Sequence, residues 1–120
     1  VLAAMPNAFN FGPASAAEDE WVFGATRPGG AAAELNEPGK IDPGSPEVGA
    51  WIEHARSHGI KHVVSLFKPE ELTYYAPPGY VKTLEDAGFT VTATQLTNTA
   101  DIRAALDRAK GAGERLLFHC

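Results

Sequence analysis

Arg115-Leu116-Leu117-Phe118-His119-Cys120 is the stretch on which the fold of this chain turns. Gly111 and Gly113 break the chain before it, and three large apolar residues then run without interruption into His119-Cys120. A short apolar run bounded by breakers reads as a buried strand, here Arg115–Phe118. A buried strand needs helices to cover it. The question for the rest of the chain is therefore whether helices and further strands alternate upstream.

They do. Ile102, Ala105, Leu106 and Ala109 recur at i, i+3, i+4 and i+7, one face of a helix that follows a Thr97-Asn98-Thr99 cap and stops at Gly111 and Gly113. Phe89–Leu96 alternates Val91, Ala93 and Gln95 against Thr90, Thr92 and Thr94, which predicts a strand. Tyr80–Ala87 predicts a short helix closed by Gly88, and Lys68–Gly79 a loop. His62–Phe67 reads as a buried strand. Ser45-Pro46-Glu47 starts a helix, with an N-cap hydroxyl, proline at the first helical position and an acid near the positive dipole end. Val48, Trp51, Ile52 and Ala55 form its apolar face, and Gly59 its left-handed terminus. Trp21–Ala25 is a further strand and Phe9–Pro13 a short one closed by a turn. Between them and the first helix, residues 28–46 hold four of the nine prolines and four glycines, a long irregular connection of the kind that is usually functional or mobile. Strands alternating with helices imply an α/β domain, a central mostly parallel sheet flanked by helices. In such sheets ligands bind off the carboxyl ends of the strands, and Cys120 follows one such end.

Composition bounds the function. The 120 residues carry 44% apolar and 21% charged side chains, a globular composition of one domain's length, so residues 1–120 are taken as one domain. The formal net charge of −5 disfavours nucleic-acid binding. Apolar runs fall well short of the roughly 20 residues of a membrane span, and no membrane partner is expected. A single cysteine excludes an internal disulfide and suggests a reducing, cytoplasmic setting.

A thiol just past a buried strand stands where the next helix would begin. Free N–H groups and the positive dipole end there lower a cysteine's pKa and cradle phosphate oxygens. Here the sequence resembles a known family. Leu116-Leu117-Phe118-His119-Cys120 looks like the start of the H-C-x5-R signature of cysteine-dependent phosphatases. Val22-Phe23-Gly24-Ala25-Thr26-Arg27-Pro28-Gly29 resembles the Arg-Pro opening of dual-specificity and related tyrosine phosphatases. Gly59-Ile60-Lys61-His62-Val63-Val64-Ser65-Leu66 is similar to their helix-to-strand step, and Glu70-Glu71 to the acidic loop after it. The resemblance spans about residues 20–120.

It implies that the substrate is a phosphorylated protein or small phosphate ester, that no cofactor or metal is required, and that Cys120 is the nucleophile, forming a cysteinyl-phosphate. His119 would orient the loop and help keep the thiol ionised, and Arg27 would face the phosphate pocket, although a salt bridge or cap accounts for an arginine there equally well. The phosphate cradle and its arginine would lie beyond residue 120, so the chain as given is expected to be incompetent alone. The family's general-acid position falls nearest Asn98, an amide that cannot serve. Asp101 is the nearest carboxylate, with compensation of a helix dipole as its plainer role. Two alternatives stand beside this reading: a rhodanese-like sulfurtransferase carrying a persulfide, and a non-catalytic phosphatase-like binding module. His54, His58 and His62 have a spacing that can bind zinc, but no acid or cysteine accompanies them, and a solvated helix face explains them better.

Overall fold

Residues 8–14 and 21–120 are described in the computed structural model of the chain. Within them the apolar runs become strands β1 (Gly12–Pro13), β2 (Val22–Ala25), β3 (Ile60–Leu66), β4 (Thr90–Thr94) and β5 (Arg115–His119). The helical patterns become α1 (Pro46–Ser57), α2 (Pro69–Leu72), α3 (Tyr80–Asp86) and α4 (Thr99–Ala112). The strands form one sheet in the order β1-β2-β5-β3-β4. β1 pairs antiparallel with β2, and every other pairing is parallel. This is the α/β architecture that the alternation predicts.

The Leu116-Leu117 run is apolar because β5 lies between β2 and β3 and is covered on both faces. Leu117 joins Val63, Trp51 and Leu84 in a core beneath α1 and α3. Leu116 points the other way, into a second core with Val64, Ala105 and Ala109 of α4. The small side chains of α4 let it lie close to the sheet. A register irregularity between Ile60 and His62 adds a residue to β3, and Ile60 thereby joins the α1 core while His62 turns to the α4 side. There His62 Nε2 meets Glu114 Oε1 at 2.8 Å.

The capping chemistry is as expected. Ser45 Oγ accepts from the Val48 N–H, and Asn98 Oδ1 accepts from the Asp101 N–H. Boundaries differ in several places, among them β3, which starts at Ile60 and ends at Leu66, and β4, which is confined to Thr90–Thr94. The expected strand Phe9–Pro13 contracts to the two residues of β1, because Phe9 and Asn10 take a left-handed turn. The expected loop Lys68–Gly79 contains α2, started by Pro69, with the Glu71 carboxylate accepting from the Lys68 N–H at 3.0 Å. α4 runs through Gly111 and ends only at Gly113, whose φ of 68° makes the left-handed cap. β5 continues through His119, which is therefore a sheet residue rather than part of the turn after it.

Candidate active site

β2, β3 and β5 run parallel, so their carboxyl ends open on the same edge of the sheet. A cleft of about 470 Å³ lies there, walled by Gly24, Thr26, Arg27, Leu66, Phe118 and the His119-Cys120 pair. Cys120 is exposed and unpaired. The structure thus brings Arg27, far away in sequence, to one cleft with His119 and Cys120.

His119 is buried beneath it, enclosed edge-on by Trp51, Phe67 and Tyr80. The Tyr80 hydroxyl lies 2.5 Å from Nε2, and Nδ1 lies 3.4 Å from the Cys120 carbonyl. A carbonyl can only accept, so Nδ1 carries the proton and Nε2 accepts from Tyr80. Burial above all, opposed by the bond to the Cys120 carbonyl and aided by Arg27, holds the His119 pKa at about 4. Burial also pushes the Tyr80 hydroxyl well above its ordinary range, so it stays a donor. The Ser65 hydroxyl sits beside Tyr80, fully buried and without a well-aligned hydrogen bond. A neutral imidazole has no charge with which to hold a thiolate. The contact of His119 with Cys120 is to its backbone oxygen.

Arg27 follows β2 and is itself buried. Its Nε donates to Gly30 O at 2.7 Å and its Nη2 to Ala32 O at 3.4 Å, so the guanidinium orders the irregular connection. Its face lies 5.7 Å from the Tyr74 ring centroid. Both neighbours of Arg27 are anchored: Trp51 Nε1 donates to Thr26 O at 2.8 Å, and Tyr75 Oη to Pro28 O at 2.5 Å. With two of five N–H groups used in the loop, a ligand in the cleft would draw on the others.

Asp101 does not line this cleft. It lines a neighbouring one of about 450 Å³ off the ends of β3 and β4, with Phe67, Leu72, Thr94 and Asn98. Its carboxylate accepts from Thr94 Oγ1 at 3.0 Å and from Asn98 Nδ2 at 2.9 Å. Those bonds tie the first turn of α4 to the end of β4.

The three histidines do not converge. His62 faces α4 and Glu114, whereas the rings of His54 and His58 meet at 4.5 Å, tilted by 51°, on α1. His58 is exposed and His54 partly buried, and Phe11 packs against both rings. Among the described residues no group of three or more metal-ligating side chains gathers, and no helix is long and apolar enough to cross a membrane.

Sequence reading missed Tyr80, Trp51 and Phe67 as the enclosure of His119. Trp51 and Phe67 carry a signal only as core positions, and Tyr80 only as the first residue of a helix after Pro77-Pro78-Gly79.

Comparison with known proteins sets the fold in context. No family model matches the sequence, and no curated protein matches it. Two solved structures are similar in fold. One is Tk-PTP in its active form, with a TM-score of 0.52 and 21% identity over 85% of this chain. The other is kinase-associated phosphatase with its catalytic-site cysteine replaced by serine, with a TM-score of 0.60 and 15% identity over 82% of this chain. The chain spans 58% and 55% of those two structures. Its mostly parallel sheet and flanking helices have the fold found in these tyrosine and kinase-associated phosphatases.

Proposed function

We propose that this chain carries the nucleophile of a cysteine-dependent phosphatase acting on phosphate monoesters. The observation that supports this most is the meeting of Cys120, the buried His119 and Arg27 at the carboxyl edge of a sheet of this fold. The Cys120 thiolate attacks phosphorus. An S–P bond forms, and the bond to the leaving oxygen breaks with its electron pair going to that oxygen. Water then attacks the cysteinyl-phosphate and returns the thiolate. His119, uncharged, holds the Cys120 carbonyl and so aims the thiol. Arg27 offers its remaining N–H groups to the phosphoryl oxygens. Asp101 protonates the leaving oxygen in the resemblance-based assignment, while its bonds to Thr94 and Asn98 favour a role in holding the α4 turn.

The experiment is p-nitrophenyl phosphate hydrolysis by the protein translated from the whole reading frame, since the phosphate-binding loop is expected after the cysteine. Cys120→Ser should lower kcat at least about a thousandfold and abolish trapping of a phosphoryl-enzyme. Retained turnover overturns the reading. In the same assay Asp101→Asn separates its two roles. A proton donor loses about a hundredfold or more on alkyl phosphates and little on aryl ones. A structural residue lowers Tm with no such split.

A further inference from the structure

Phe9 and Asn10 sit at φ 58° and φ 51°, a left-handed conformation that L-residues adopt only at a cost. The segment they open is nevertheless closely held. Phe11 is buried, stacked on Phe23 at 5.2 Å, edge-on to His54 at 4.9 Å and tilted against His58 at 4.6 Å. Phe9 lies edge-on to His54 at 5.5 Å. The Phe9 carbonyl accepts from both the Thr26 N–H at 2.8 Å and the Thr26 hydroxyl at 3.1 Å. Thr26 is a wall residue of the Cys120 cleft.

Of the two histidines beneath this segment, His58 is exposed and His54 is poorly provided for a charge. His54 Nε2 is buried with no hydrogen-bond partner. Its titratable neighbour on α1 is His58. From the sheet comes Arg115, which lies over Phe23 and donates to the His58 carbonyl. Residues 8–14 contribute no titratable side chain. Among the described residues neither ring is paired with a carboxylate.

We propose that residues Phe9–Pro13 are a strap that braces the Thr26 wall of the cleft and lets go when His54 takes up a proton. Burial, and then His58, lower the His54 pKa from 6.5. The released state therefore binds the proton more tightly than the docked one, and docking is favoured at neutral pH and weakened as pH falls through 6.5. Release relieves the left-handed residues. It also frees the Thr26 N–H and hydroxyl, adding two donors to the cleft beside Arg27. The inference stands whether or not the cleft handles phosphate.

The test is hydrogen exchange at the Thr26 amide, corrected for the intrinsic pH dependence. Between about pH 7.5 and about pH 5 its protection should fall several-fold while Val63 and Val64 stay protected. Phe11→Ala should remove that protection at both pH values, and His54→Gln with His58→Gln should make it independent of pH. Unchanged protection in the natural sequence, or the same fall in the double variant, overturns the proposal. Should the double variant fail to fold, the NMR titration of His54 decides. A midpoint shared with Thr26 protection supports the strap, and separate midpoints overturn it.

Discussion

His119 illustrates how much one side chain can carry here. It is wholly buried, bonded at both nitrogens and uncharged at neutral pH. In the unfolded chain it takes a proton near pH 6.5, and in the folded chain only near 4. The unfolded state therefore binds more protons between those values. The contribution to stability is complete above about 6.5 and is lost as pH falls toward 4, with a total of about 3 kcal/mol. Urea unfolding at about pH 7 and about pH 4.5 checks this. His119→Gln should lose less stability over that range than the natural sequence by most of that amount, and parallel losses would refute it. The His-Cys step was legible from its place after an apolar run. The Tyr80 partner was not, because a tyrosine at a helix start says nothing of what its hydroxyl reaches across the sheet.

At the scale of elements, the connection from β2 to α1 sets the shape of the cleft. Arg27, Pro28 and Gly29 turn the chain beneath Tyr74 and Tyr75. Gly29 has φ +96°, and a Cβ there would lie 2.6 Å from Ile41 Cγ2. Gly29→Ala should cost about 1–3 kcal/mol through strain and collision together. Gly39, at φ +74° with open space around it, should tolerate alanine better. Thermal melts of the two variants decide, and equal losses would mean that the Ile41 contact is easily relieved. α1 was readable in advance because its start signals are local, namely Ser45, Pro46 and Glu47. α2 was not, since a four-residue helix barely exceeds one helical turn and cannot show a repeating apolar pattern. The brace of Trp51 and Tyr75 on residues 26–28 was equally hidden, because it joins residues 25 and 47 positions apart.

For the molecule as a whole, alternation of strand and helix revealed a mostly parallel α/β sheet. It did not reveal the order β1-β2-β5-β3-β4, since each neighbour is chosen by packing between distant segments. That order predicts a gradient of local stability. β5 and β3 are flanked on both sides, while β4 and the two-residue β1 are edges. Native-state hydrogen exchange should be slowest at Leu116, Leu117, Val63 and Val64 and fastest along β1 and β4. Faster exchange in β5 than in β4 would contradict this account.

The place of β5 also bears on how the polypeptide acquires its shape during synthesis. β5 is made after the four other strands, yet β2 pairs with it on one side and β3 on the other. As the chain leaves the ribosome, the β1–β2 hairpin and the β3–β4 pair have no strand in common. They remain two fragments with apolar surfaces facing water or a holding chaperone. Emergence of Leu116 and Leu117 joins them in one late, long-range step, which makes folding slow and its unfinished forms prone to associate.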